Sequence, residues 1–84
     1  MVRRMVTVVG ATGLHARPAA LFCREAARFA ASVRIEKNGR HADARSLLSV
    51  LELDVRQGET VVLVADGADE DEAVRALAGA LERP

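Results

Sequence analysis

His15 and Arg17 stand two residues apart in the segment Thr12-Gly13-Leu14-His15-Ala16-Arg17-Pro18-Ala19, and this pair carries the strongest chemical signal in the chain. Imidazole is a nucleophile near neutral pH, and a guanidinium offers a planar fork for phosphate oxygens. Together they describe a histidine that can be phosphorylated. Pro18 is tolerated in a helix's first turn, where its missing N–H would have no intrahelical partner, so a helix starts close to Ala16. The free amides of such a start, with the helix dipole, favour an anion, and an anion held at His15 would meet the backbone donors of Ala16 and Arg17. A local conflict marks the same spot. The residue before a proline is pushed away from helical dihedrals, yet Arg17 has to enter the first turn, and such conflicts gather at working sites. Taken apart from its motif, a lone histidine here would read as a capping residue beside a turn.

The other reactive side chains read more plainly. Cys23, between Phe22 and Arg24, reads as a small packed hydrophobe, and a single cysteine forbids an internal disulfide. His41 falls on a short strand and reads as a surface residue. Two histidines so placed, one cysteine and scattered carboxylates make no metal constellation. The acidic run Asp69-Glu70-Asp71-Glu72 suits a helix start and lacks the alternating oxygen ligands of a calcium loop.

The elements that must position His15 follow from periodicity. Residues 4–8 alternate as a strand with Val6 and Val8 on one face, and Gly10 and Gly13 break it. Ala19, Phe22, Ala26 and Phe29 recur at helical spacing over Ala16–Ala30. Ser32–Lys37 alternates again, Asn38-Gly39 is a hairpin turn, and His41–Asp43 returns. Ser46–Leu53 reads as a short helix, apolar almost all round. Its start is ambiguous, since Ser46 can cap it and Ser49-Val50-Leu51-Glu52 is itself a capping-box pattern. Thr60–Ala65 is the clearest strand, with Val61, Leu63 and Ala65 inward and Val62 and Val64 partly exposed. Asp69 with Glu72 forms a capping box for a last helix whose stripe is Ala73, Val74, Leu77, Ala78 and Leu81. The order β-α-β-β-α-β-α predicts an α+β fold, one antiparallel sheet with all helices on one face.

Composition bounds the rest. Eighty-four residues build one small domain, 1–84, with half the residues apolar and only two aromatics, Phe22 and Phe29. With no Trp or Tyr and 12 basic against 12 acidic side chains, nucleic acid finds neither stacking platforms nor a net attraction. The charges are unevenly spread: residues 1–45 hold nine basic and three acidic side chains, and residues 46–84 hold three and nine. Either the first half attracts an anionic partner or the two halves neutralise each other in the fold. No run approaches the ~20 apolar residues of a membrane span, and the expected setting is the cytosol, without contact to a membrane.

The motif Gly13-Leu14-His15-Ala16-Arg17-Pro18-Ala19 resembles the active-site signature of HPr, the histidine-containing phosphocarrier family of the bacterial phosphoenolpyruvate:sugar phosphotransferase system. Asn38-Gly39, Ala44-Arg45-Ser46-Leu47-Leu48, Gln57-Gly58 and Gly67-Ala68-Asp69-Glu70 match in the family's order across essentially the whole chain. The resemblance implies an open-faced β-sandwich with strand order β1-β4-β2-β3 and three helices on one face. It implies a carrier, not an enzyme in its own right, that takes a phosphoryl group from enzyme I on Nδ1 of His15 and passes it to IIA domains of sugar permeases. Arg17 then contacts the phosphoryl group, with Ala16 and Thr12 beside it. Leu47, Leu48 and Leu51 form a docking patch with Arg24 on a basic rim, and Ser46 matches a serine that an ATP-dependent kinase phosphorylates in some relatives. Capping alone also accounts for Ser46. No cofactor is implied, and a monomer is expected. The alternative within the fold is a regulatory binding module acting through protein contact.

Overall fold

The computed structural model describes residues 1–84. Four strands and three helices follow in the order β1 (Val2–Thr7), α1 (Ala16–Ala26), β2 (Ser32–Lys37), β3 (Arg40–Asp43), α2 (Leu47–Glu52), β4 (Thr60–Asp66) and α3 (Glu70–Glu82). The sheet is fully antiparallel in the order β1-β4-β2-β3. β4, the most apolar strand, sits between β1 and β2, pairing Val6 with Val61 and Ile35 with Leu63. Asn38 and Gly39, with φ of +50° and +79°, make the β2–β3 turn in the left-handed geometry that matches strand twist.

One core lies between the sheet and the helices. Val6, Val33, Ile35, Val61, Leu63 and Ala65 face Ala19, Phe22, Ala26, Val50, Ala73, Leu77 and Leu81, all buried. Periodicity predicted these inward faces correctly. Val64, expected to be partly exposed, is only 5% accessible. It lies on the outer face with Arg3 and Arg34 as its cross-strand neighbours, and Glu36 ties both guanidiniums down, so their aliphatic stems cover it.

Two helix ends depart from the sequence reading. α1 stops at Ala26, not Ala30. The amides of Ala30 and Ala31 donate to the Asp69 carboxylate at 2.9 and 2.8 Å, a tertiary bond that draws the chain out of the helix. That same carboxylate is therefore unavailable for a capping box, and Asp69 makes no side-chain cap to α3. Its bonds to the two amides hold it below the usual carboxylate range. At the other helix the ambiguity resolves in favour of Ser46, which precedes Leu47 as N-cap and accepts the Ser49 amide at 3.3 Å.

Candidate functional site

The loop between β1 and α1 carries His15, and it is seated on the segment that follows α2. The Leu14 amide donates to the Val55 carbonyl at 2.9 Å, Gly58 donates to Val8 at 2.7 Å, and the Gln57 side chain donates to Val9 at 3.0 Å. Leu14 is buried, so the residue before the histidine anchors the loop. Gly13 permits the contact. Its φ is +64°, and a Cβ there would come within 2.3 Å of the Val55 oxygen.

His15 is the N-cap residue of α1, in extended geometry, and its ring makes no cap bond to the helix. Its side chain is 38% exposed. The first helical amides lack intrahelical partners, and here these belong to Ala16 and Arg17, Pro18 having none. The conflict expected at Arg17 is taken up one residue earlier. Ala16 has φ of +48°, a left-handed conformation that costs an alanine about 1 kcal/mol. Arg17 is exposed and enters no ion pair. Thr12 lines an open cleft of about 410 Å³ with Ala11, His15, Asp54, Arg56 and Gln57.

Sequence reasoning missed Asp54. Its Oδ1 lies 3.1 Å from Nε2 of His15, and its Oδ2 accepts from Nε and Nη2 of Arg56 at 3.2 and 2.9 Å. The Arg56 guanidinium holds the Asp54 carboxyl below its usual range, with His15 and Lys37 as further positive influences. Thirty-nine residues separate Asp54 from His15 in sequence, so no local pattern links them. Only the docking of the two loops does.

The remaining predicted residues spread outward. Arg24 lies in the last turn of α1, about 13 Å along the helix from His15 at the standard rise, and so stands apart from the ring. Leu47 and Leu48 are exposed, at 42% and 71%, while Val50 and Leu53 are buried beneath them. Leu51 differs from its two neighbours in being half-buried against the core. Ser46 is half-buried and bonded within its own turn, its hydroxyl donating to Ser49 Oγ at 3.0 Å. Leu21, 51% exposed on α1 and lining a cleft with Thr12 and Pro18, joins the apolar surface without having been singled out by its spacing.

A family model described as the PTS HPr component phosphorylation site matches residues 2–83. The chain belongs to the HPr family. HPr-like protein Crh of Halalkalibacterium halodurans is 43% identical over 83 residues, 99% of each chain. The crystal structure of the phosphocarrier protein HPr from Bacillus anthracis superposes with a TM-score of 0.95 at 40% identity, covering 96% of both chains. The catabolite repression protein Crh of Bacillus subtilis, whose structure is described as a dimer with a swapping domain, gives a TM-score of 0.79 at 45% identity over 98% of this chain and 94% of its own. The open-faced sandwich and strand order inferred from the motif are thus those of HPr structures. No helix here is long and apolar enough to cross a membrane.

Proposed function

We propose that this HPr-family chain is a phosphoryl carrier of the phosphotransferase system, a single domain over 1–84 that receives a phosphoryl group on Nδ1 of His15 from enzyme I and yields it to IIA domains. One observation carries the reading: a histidine, accessible and free of any cap bond, stands at a helix start within the family's phosphorylation-site match. Nε2 faces Asp54, so the other ring nitrogen is the one left to react. The Ala16 and Arg17 amides and the Arg17 guanidinium supply donors for phosphoryl oxygens, with Thr12 at the rim. Modest stabilisation suits the task, because a carrier that bound its phosphoryl group too firmly would slow the onward step. An open site also lets two different partners reach the same nitrogen. Leu47 and Leu48 supply apolar docking surface and Arg24 a positive rim. The cytoplasm is where such partners would meet it.

A second reading, regulation through Ser46, has the likeness to Crh in its favour. Retention of His15 and Arg17 favours the carrier. All the site residues come from one chain, so a monomer suffices for the chemistry, whatever assembly relatives adopt. Incubation with enzyme I and labelled phosphoenolpyruvate is expected to label the protein through an acid-labile, base-stable bond. Label accepted at the normal rate by His15→Ala would overturn the proposal.

A further inference from the structure

Asp54 is an unusual residue to find beside a reactive histidine, for reasons visible in its backbone and in its partners. Its φ is +51°, in the left-handed region that glycine occupies without strain and that aspartate tolerates better than most residues. The conformation is held from several sides. The Asp54 amide donates to Leu51 at 3.1 Å, and its carbonyl accepts from the Lys37 ammonium at 2.6 Å. Arg56 grips one carboxylate oxygen with two N–H groups, which turns the other toward the imidazole. The charged groups that share the cleft with the ring are Asp54 and Arg56 from the segment after α2; Lys37 of β2, itself paired with Glu59 at 2.9 Å, reaches the Asp54 carbonyl, and Arg17 follows His15 by two residues on α1.

We propose that Asp54 is a positioning residue for His15, holding the ring by its Nε2 edge and keeping the proton on that nitrogen, so that Nδ1 presents its lone pair to the phosphoryl donor. The inference rests on the carrier reading for its functional consequence and on geometry for the rest. A carboxylate oxygen 3.1 Å from Nε2 would repel a lone pair there and attracts an N–H, which favours the tautomer with its proton on Nε2. Transfer then needs no proton movement at His15. The Nδ1 lone pair forms the new N–P bond to a phosphohistidine donor whose ring is protonated on its other nitrogen. The donor's P–N bond breaks, its electron pair returns to the donor nitrogen, and the positive charge passes from the donor ring to His15. Asp54 faces the ring as that charge arrives, while the phosphoryl oxygens lie toward Arg17 and the helix start. Reversal of the same steps hands the group on, with a neutral imidazole as leaving group.

The test is Asp54→Gly, which relieves the left-handed strain and so should fold at least as stably as the parent. Two readouts are taken on the intact protein. In ¹⁵N-resolved spectra above neutral pH, the parent is expected to show one protonated and one unprotonated ring nitrogen for His15, with the proton on Nε2. In Asp54→Gly the two signals should move toward those of an unconstrained imidazole. Arg56→Ala should move them the same way by less, because Arg56 acts through Asp54. In transfer from enzyme I, kcat should fall about tenfold to a hundredfold with KM nearly unchanged, since the docking surface is untouched. Asp54→Asn, which keeps an oxygen but not the charge, should fall between. Ring signals that do not change in Asp54→Gly would overturn the proposal, as would transfer at the parental rate. Absence of labelling in the parent itself would instead refute the carrier reading, and the ring signals would still decide what Asp54 does.

Discussion

His15 is bracketed by two non-glycine residues in left-handed conformations, Ala16 next to it in the chain and Asp54 across the cleft. Each costs about 1 kcal/mol relative to ordinary backbone, and such strain survives only where the surroundings impose it. Here the imposing groups are the Leu14–Val55 bond, the close approach at Gly13 and the Lys37 and Arg56 contacts to Asp54. Arg17 takes no part in that scaffold. Because it bonds to nothing in the fold, Arg17→Ala should leave the melting temperature within a degree or two while slowing phosphoryl acceptance about tenfold to a thousandfold, the scale of one electrostatic donor. Stopped-flow or rapid-quench transfer together with calorimetry checks both halves. A large fall in melting temperature would make Arg17 structural, and unchanged kinetics would remove it from the site.

At the scale of elements, one helix start resolves an ambiguity its sequence left open and another departs from its sequence reading. α2 begins where Ser46 caps it, and a phosphate or carboxylate at that position would meet free amides and the positive end of the helix. Ser46→Asp is therefore expected to fold as stably as the parent. The added charge sits beside exposed Leu47 and Leu48, on the proposed docking surface, so acceptance from enzyme I should drop severalfold at low salt. Equal rates for the two proteins would leave Ser46 as a cap and nothing more. At α3, Asp69 works as a clamp on the α1–β2 connection instead of a cap. Its native-state acidity is strengthened, so the stability it contributes is present above the unfolded carboxylate range and is lost as pH falls through the depressed native value. Thermal melts from neutral pH downward should show that loss, and Asp69→Asn should lower the neutral-pH melting temperature by several degrees and flatten its acid dependence. An unchanged acid limb would assign the dependence to Glu59 or Glu70, whose acidities are raised by Lys37 and by the Gly67 amide respectively.

For the whole molecule, the opposed charges of the two halves meet at only a few points, since Arg3, Arg28 and Arg34 pair with Glu36 and Glu25 of their own half and Arg56 with Asp54 of its own. Arg4 meets Glu82, Lys37 meets Glu59, and the amino terminus meets Glu70 and Asp66. Arg45 is absorbed by carbonyls of Phe29 and Ala31. Arg17 and Arg24 also join no ion pair, and they are the unpaired cations that α1 offers a partner. Most of the internal pairs are exposed and contribute little each. Raising ionic strength should consequently leave the melting temperature nearly unchanged while slowing association with an acidic partner, with Arg24→Gln reducing the salt sensitivity. A salt-independent association rate would show that α1 does not steer.

Much of this was written in the sequence. Alternation and helical spacing located all seven elements and the inward faces, because those periods are imposed by backbone geometry and read out locally. The motif from Gly13 to Ala19 identified the histidine, the helix start and the family, since a loop, a proline and an arginine at fixed offsets act within one turn of chain. What lay beyond reach were the effects that join distant segments. The end of α1 at Ala26 depends on Asp69, and the burial of Val64 on two arginines from neighbouring strands. The contact between His15 and Asp54 is of the same kind. It exists because the β1–α1 loop is hydrogen-bonded onto the segment after α2, and a through-space charge contact across thirty-nine residues leaves no periodicity for a sequence to display.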